Sequence, residues 1–172
     1  SNRVKQVLYD EQHGDQFYQR YGYDEDGRVT TVESSRDGVI WDGDAEYSYF
    51  LHGPLMRIEL GEDRLQGLDY THTIHGWLKA INHPALSIDT TLDPGHDNGM
   101  VRTAPVVFGM ILNYYEGDYL RSYNSGADQS PYNSKSVGSS TEQAYQLTSG
   151  NLYNGNISGW SLRTTPVGTP SI

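Results

Sequence analysis

Apolar and polar positions alternate with a period of two through most of the first eighty residues, and no stripe at helical spacing runs for more than a few positions. The pattern is clearest over residues 21–32, Tyr-Gly-Tyr-Asp-Glu-Asp-Gly-Arg-Val-Thr-Thr-Val. Tyr21 and Tyr23 lie two apart on an arm that reaches back through Phe17, while Gln16, Tyr18 and Arg20 take the other face, as in a half-buried strand. The cluster at 24–27 is turn chemistry: short acids bond local backbone, and Gly27 reaches positive φ without a Cβ clash. Val29, Thr30, Thr31 and Val32 are β-branched and restart a strand. One unit is therefore strand, tight turn, strand.

The unit recurs. Tyr21, Tyr23, Gly27, Val29 and Val32 are matched by Tyr47, Tyr49, Gly53, Leu55 and Ile58, then by Tyr70, His72, Gly76, Leu78 and Ile81. In every copy the glycine follows the first tyrosine by six residues, with apolar residues at plus two and plus five from that glycine. Successive glycines are 26 and 23 residues apart, a spacing of stacked supersecondary repeats. Val4 and Val7 hold the plus-two and plus-five places relative to Asn2, so the chain is expected to open midway through an earlier unit.

The rest of the chain is divided by the same pattern. Strands are expected at 3–10, 17–24, 28–33, 47–51 and 55–60, with turns at 11–15, at Asp37-Gly38 and Asp42-Gly43 around a short 39–41 segment, and at 61–63. Met56, Ile58 and Leu60 share a face against Arg57 and Glu59. In the third up-strand Leu68, Tyr70, His72 and Ile74 alternate against Asp69, Thr71 and Thr73. The organisation expected is β-hairpin repeats over 1–82, an irregular insertion over 83–105, further strands over 106–162 interrupted by a polar loop at about 119–150, and a tail at 163–172. Strands are expected near 106–115 and 152–162. The fold class is all-β: antiparallel strand-turn-strand repeats stacked into a curved sheet or partial shell.

The sequence around the first hairpin resembles the YD repeat of Rhs (rearrangement hotspot) proteins, approximately Tyr-x-Tyr-Asp-x-x-Gly-Arg-Leu/Val, at Tyr21, Tyr23, Asp24, Gly27, Arg28 and Val29. Later copies depart from it: Asp24 is replaced by Phe50 and Thr73, and Arg28 by Pro54 and Trp77. Stretches at 67–70 with 76–82, at 108–110 and at 152–158 are similar to segments of large bacterial Rhs-repeat chains. The resemblance implies a segment of a hollow β shell enclosing a toxic C-terminal polypeptide, in a secreted or cell-surface parent protein. Its partners would be neighbouring repeats and the enclosed polypeptide. The repeat-defining residues would then be Tyr21, Tyr23, Asp24, Gly27, Arg28, Tyr47, Tyr49, Gly53, Tyr70 and Gly76, with the tyrosines stacked between units. A fragment of such an array is expected to self-associate through open strand edges.

Composition narrows the function classes. The chain of 172 residues carries a net charge of −10, which repels phosphate backbones and argues against nucleic acid as a partner. It has no cysteine, so neither disulfides nor a thiolate nucleophile. No apolar run approaches the roughly 20 residues of a membrane-spanning helix. Fourteen tyrosines, against three phenylalanines and three tryptophans, supply rings whose hydroxyls need water or a polar partner.

Candidate chemistry meets simpler alternatives. Residues 22–33 imitate a calcium loop with Asp24, Asp26, Gly27 and Glu33, but Gly22 holds the first ligand place and the flanks are strands. His72 and His75 are three apart, which on a strand sends them to opposite faces. His83, Asp89, Asp93, His96 and Asp97 crowd the insertion without fixed ligand spacing. No Gly-x-Ser-x-Gly elbow is present. The reading is a non-catalytic structural segment needing no cofactor. The first alternative is an adhesion module whose Trp41, Trp77 and Trp160 stack on cell-surface glycans, and the second is a hydrolase.

Overall fold

A computed structural model describes residues 3–10, 13–82, 108–115, 117–119 and 150–164. Nine strands lie among these residues: β1 (Gln6–Tyr9), β2 (Phe17–Tyr23), β3 (Val29–Ser35), β4 (Asp42–Tyr49), β5 (Leu55–Leu60), β6 (Gln66–His72), β7 (Leu78–Ile81), β8 (Phe108–Asn113) and β9 (Gly159–Thr164). The described residues contain no helix, so none long and apolar enough to cross a membrane. The chain forms two compact units, one running to Gly67 and one from Leu68 onward. In the first, β1 to β5 pair antiparallel in chain order. In the second, β6 to β9 do the same.

The repeat spacing has a direct structural meaning. The two tyrosines of the outgoing strand are two residues apart, while the apolar residues of the returning strand are three apart, so facing both pairs requires one extra residue on the return. In the first hairpin Tyr21 faces Val32 and Tyr23 faces Val29, and the register shift leaves Thr30 as the extra residue. In the second, Tyr47 faces Ile58 and Tyr49 faces Leu55, with Met56 extra. In the third, Tyr70 faces Ile81 and His72 faces Leu78, with Lys79 extra. Each hairpin thus carries a β-bulge at the same place, which raises local twist and re-aims the extra side chain.

The turns match as well. Gly27 N–H donates to Asp24 C=O and Asp24 N–H to Arg28 C=O, both at 3.0 Å. Gly53 with Phe50 and Pro54, and Gly76 with Thr73 and Trp77, repeat this pair of bonds at 2.8 to 2.9 Å. The three glycines have φ of 85°, 116° and 79°, the left-handed region that closes a type I turn into a bulged hairpin. A fourth hairpin, β8 with β9, opens in the same way: Asp118 N–H donates to Tyr115 C=O. Its return strand comes only after a long connection.

Several expected boundaries move. Asp42-Gly43 is not a turn but the start of β4, five residues earlier than expected, because the chain has already reversed at Asp37. The Asp37 carboxylate accepts the Val39 and Ile40 N–H groups at 2.8 and 2.9 Å and the Ser35 hydroxyl at 3.0 Å. The register shift between Val32 and Glu33 then makes Asp44 an extra residue. β1 is shorter than the expected 3–10. Of the expected 152–162 strand only the part from Gly159 forms: Asn154 Oδ1 caps the Asn156 N–H at 3.2 Å, and Gly155 has positive φ, so the chain turns there. The expected insertion at 83–105 and most of the loop at 119–150 lie outside the described residues.

The buried face of β6 is also the reverse of the expected one. Asp69, Thr71 and Thr73 are buried, Leu68, Tyr70 and His72 are half-buried, and Ile74 is 93% exposed. Among the described residues of the second unit the buried apolar side chains are Ala80, Ile111 and Tyr114, beside buried Lys79, Asn82, Asp118 and Ser161. These polar groups are held by bonds to strand ends. Asn82, at φ 51°, accepts the Asp69 N–H at 2.8 Å and donates to Phe108 C=O at 2.9 Å. Buried polar positions are tolerated because each such bond offsets desolvation.

Candidate functional site

Six of the ten repeat-defining residues, Tyr23, Asp24, Gly27, Arg28, Tyr49 and Gly53, meet at junctions between one hairpin and the next. The Asp24 carboxylate accepts the Arg28 N–H at 2.8 Å and the Arg28 Nε at 2.7 Å. So held, the Arg28 guanidinium lies 4.6 Å from the centre of the Tyr49 ring in the following repeat, with Nη1 3.4 Å from Gly53 C=O. The Tyr49 hydroxyl donates back to Val29 C=O at 2.7 Å. Asp24, Arg28, Tyr49 and Gly53, spread over two copies of the repeat, form one clasp.

The clasp recurs on both sides. Upstream, Arg3 lies over the Tyr23 ring at 5.7 Å, its Nη2 is 3.3 Å from Asp26 C=O, and the Tyr23 hydroxyl donates to Val4 C=O at 2.6 Å. Arg3 and Val4 stand where Arg28 and Val29 stand one repeat later. A Cβ at Gly27 would run into the Arg3 guanidinium, so Gly27 serves both turn and clasp. In the second unit the Tyr114 hydroxyl donates to Leu78 C=O at 2.7 Å, and Trp77, in the place of Arg28, packs on the Tyr114 ring at 5.0 Å. Inter-repeat register is constant too: Val7 faces Gln19, Val32 faces Ala45 and Ile81 faces Met110. Thr73 takes the role of Asp24, its hydroxyl accepting the Trp77 N–H at 3.2 Å. Burial, then the nearby Asp24 carboxylate, raises the Tyr49 pKa, and burial followed by Asp118 raises that of Tyr114. Both phenols therefore stay protonated donors.

The first tyrosine of each repeat has a different place. Tyr21, Tyr47 and Tyr70 face Val32, Ile58 and Ile81 within their own hairpins, and the Tyr21 hydroxyl bonds Gln19 Oε1 at 2.6 Å. Tyr23 and Tyr49 bridge repeats through a hydroxyl and a ring face, in place of the expected stack of tyrosine rings. Such a bridge combines a hydrogen bond worth about 0.5–1.5 kcal/mol with a cation–π contact worth about 0.5–1 kcal/mol.

The tryptophans are spread over the two units. In the first, Trp41 is half-buried, edge-on to Tyr18 at 6.5 Å, with the Arg20 guanidinium 4.2 Å over its ring. It lines an open groove of about 350 Å³ with Glu33, Glu46, Glu59, Glu62 and Arg64. Glu33 is bound by Arg20 at 2.6 and 2.7 Å, and Arg64 lies 2.9 Å from Glu59 and 3.5 Å from Glu46, so arginines counter most of the groove's carboxylates. In the second unit Trp77 is half-buried, in contact with His75, Tyr114 and Gly155. Trp160, half-buried on β9, faces Leu112.

The imitation calcium loop has its acids committed to arginines, Asp24 to Arg28 and Glu33 to Arg20. The crowded acids and histidines at 83–97 lie outside the described residues. One cluster had no signal in the repeat pattern: Lys79, Asn113 and Asp118. Lys79 Nζ lies 2.8 Å from Asp118 Oδ1 and 2.9 Å from Asn113 Oδ1, in a pair of side chains only 1% and 4% exposed. Burial pushes the Lys79 pKa down, partly opposed by Asp118. No protein-family model, curated protein or solved structure matches this chain.

Proposed function

We propose that this chain is a wall segment of an Rhs-type β shell, in a secreted or cell-surface parent protein, whose work is enclosure of a polypeptide and not catalysis. The observation that carries the reading is the clasp. At three junctions one unit offers the next a backbone carbonyl for a tyrosine hydroxyl and a flat side chain for its ring, so units of this kind add in series. The bulge in each hairpin supplies twist, which a curved wall needs.

The test is electron microscopy and limited proteolysis of the native polypeptide that contains these repeats. A hollow body with an internal polypeptide protected from protease is expected. A solid or extended particle whose downstream polypeptide is cleaved at once would overturn the reading. The glycan-binding alternative has less support, since Arg20 covers one face of Trp41 and the half-buried Trp77 is packed against Tyr114 and His75. Saturable glycan binding lost in Trp41→Ala would restore it.

A further inference from the structure

Lys79 is the extra residue of the third bulge, and its side chain lies in the interior of the second unit. Its Nζ is 2.9 Å from Asn113 Oδ1, and 2.8 and 3.0 Å from the two Asp118 carboxylate oxygens. Asp118 is fixed by the Tyr114 N–H at 2.9 Å. Asn113 directs its carbonyl oxygen at the amine, while its Nδ2 is buried with no hydrogen-bond acceptor among the described residues. An amine, a carboxamide carbon one bond from the contacted oxygen, and a proton carrier are thus held together out of water, with the amide NH₂ left unsatisfied.

We propose that Lys79 and Asn113 become joined by an intramolecular amide bond after folding, with Asp118 moving the protons. The Asp118 carboxylate takes a proton from the Lys79 ammonium, and the neutral Nζ attacks Asn113 Cγ to give a tetrahedral adduct. Asp118 then delivers its proton to Nδ2 and accepts one from Nζ. The Cγ–Nδ2 bond breaks, the Nζ–Cγ amide remains, and the departing ammonia takes from Asp118 the proton accepted from Nζ, so it leaves as ammonium and Asp118 returns to the carboxylate. One amide replaces another, nothing is oxidised or reduced, and no cofactor takes part. Burial supports the step by favouring the neutral amine and by excluding water as a competing nucleophile. Fixed geometry makes the attack unimolecular. The leaving group is the unsatisfied NH₂, so the reaction removes the buried polar group that the fold leaves unpaired. The product staples β7 to β8 across 34 positions of sequence. This inference stands on the Lys79 cluster alone, whatever the fate of the shell reading.

Intact-mass measurement of the purified full chain tests it. The expected mass is that of the sequence less one ammonia, with a branched peptide joining Lys79 to Asn113 after protease digestion. Asp118→Asn and Lys79→Arg should each restore the unmodified mass, and circular dichroism checks that each variant remains folded. A wild-type chain of unmodified mass with a β spectrum would overturn the proposal, even if both variants fail to fold. Ammonia loss mapped to a succinimide at Asn98-Gly99 or Asn154-Gly155, which mild base opens to aspartate or isoaspartate, would overturn it equally.

Discussion

The junction between the first two complete repeats and the junction at Tyr114 share a backbone and differ in chemistry. Both send a tyrosine hydroxyl to the carbonyl two residues after the turn glycine, at 2.7 Å in each case. At the first, the ring is covered by Arg28, which Asp24 and Asp26 hold in place at the surface. At the second it is covered by Trp77, and the neighbouring bulge residue is a buried lysine where the first unit has Thr30 and Met56. Register therefore follows from spacing and turn geometry, which all copies keep, while side-chain identity sets how dry each junction is. A solvated junction carries many small terms, whereas a dry one concentrates stability in a few groups.

Substitutions can break this contrast in order of size. Asp118→Ala should be the most damaging, since it strands the Lys79 ammonium in the interior. Breaking a buried pair from one side costs about 3–5 kcal/mol, readable as a lowered urea midpoint. Tyr114→Phe leaves the half-buried Leu78 carbonyl without its donor beside a residue only 4% exposed, a loss of about 1–3 kcal/mol by the same measurement. Tyr49→Phe removes the same bond at the half-buried junction, where water can replace it, and should cost about 0.5–1.5 kcal/mol. If the two phenylalanine variants lose equal stability, the distinction between dry and wet junctions fails.

The smallest effect is expected with acid, in the first unit. Glu33 titrates below the ordinary carboxylate range because Arg20 hydrogen-bonds it, and Asp37 does so because the Ile40 and Val39 N–H groups point at it. A depressed folded-state pKa contributes stability above the unfolded value, near 4 for these side chains, and that stability is lost as pH falls through the folded value. The first unit should therefore loosen as pH drops below about 4. Glu33→Gln should flatten that part of the acid titration, followed by near-UV circular dichroism of Trp41.

Much of the hairpin architecture is legible in the sequence because the same local device is written three times. The turn glycines, the paired tyrosines and the apolar plus-two and plus-five positions all fall where the pattern puts them. The bulge was also written there, in a spacing of two set against a spacing of three. An alternation argument hides it because it treats each strand alone. The burial of Asp69, Thr71 and Thr73 escapes a hydrophobicity pattern because a polar side chain can be buried once it is bonded, as the Thr73 hydroxyl is to the Trp77 N–H. The Lys79 cluster escapes for a different reason: its members lie 34 and 39 residues apart, joined only by pairing across a long connection. Asp118 occupies the place of a turn glycine, which marks the fourth hairpin as exceptional but gives no hint of its partner.

The most direct test is a set of cross-strand proton–proton contacts by nuclear magnetic resonance, in the two hairpins of the first unit. Tyr21 should report Val32 across the ladder and Tyr23 should report Val29, with Thr30 facing no partner, and Tyr47, Tyr49 and Met56 should repeat this against Ile58 and Leu55. An unbroken ladder in which Tyr23 faces Thr30 and Tyr49 faces Met56 would contradict the account.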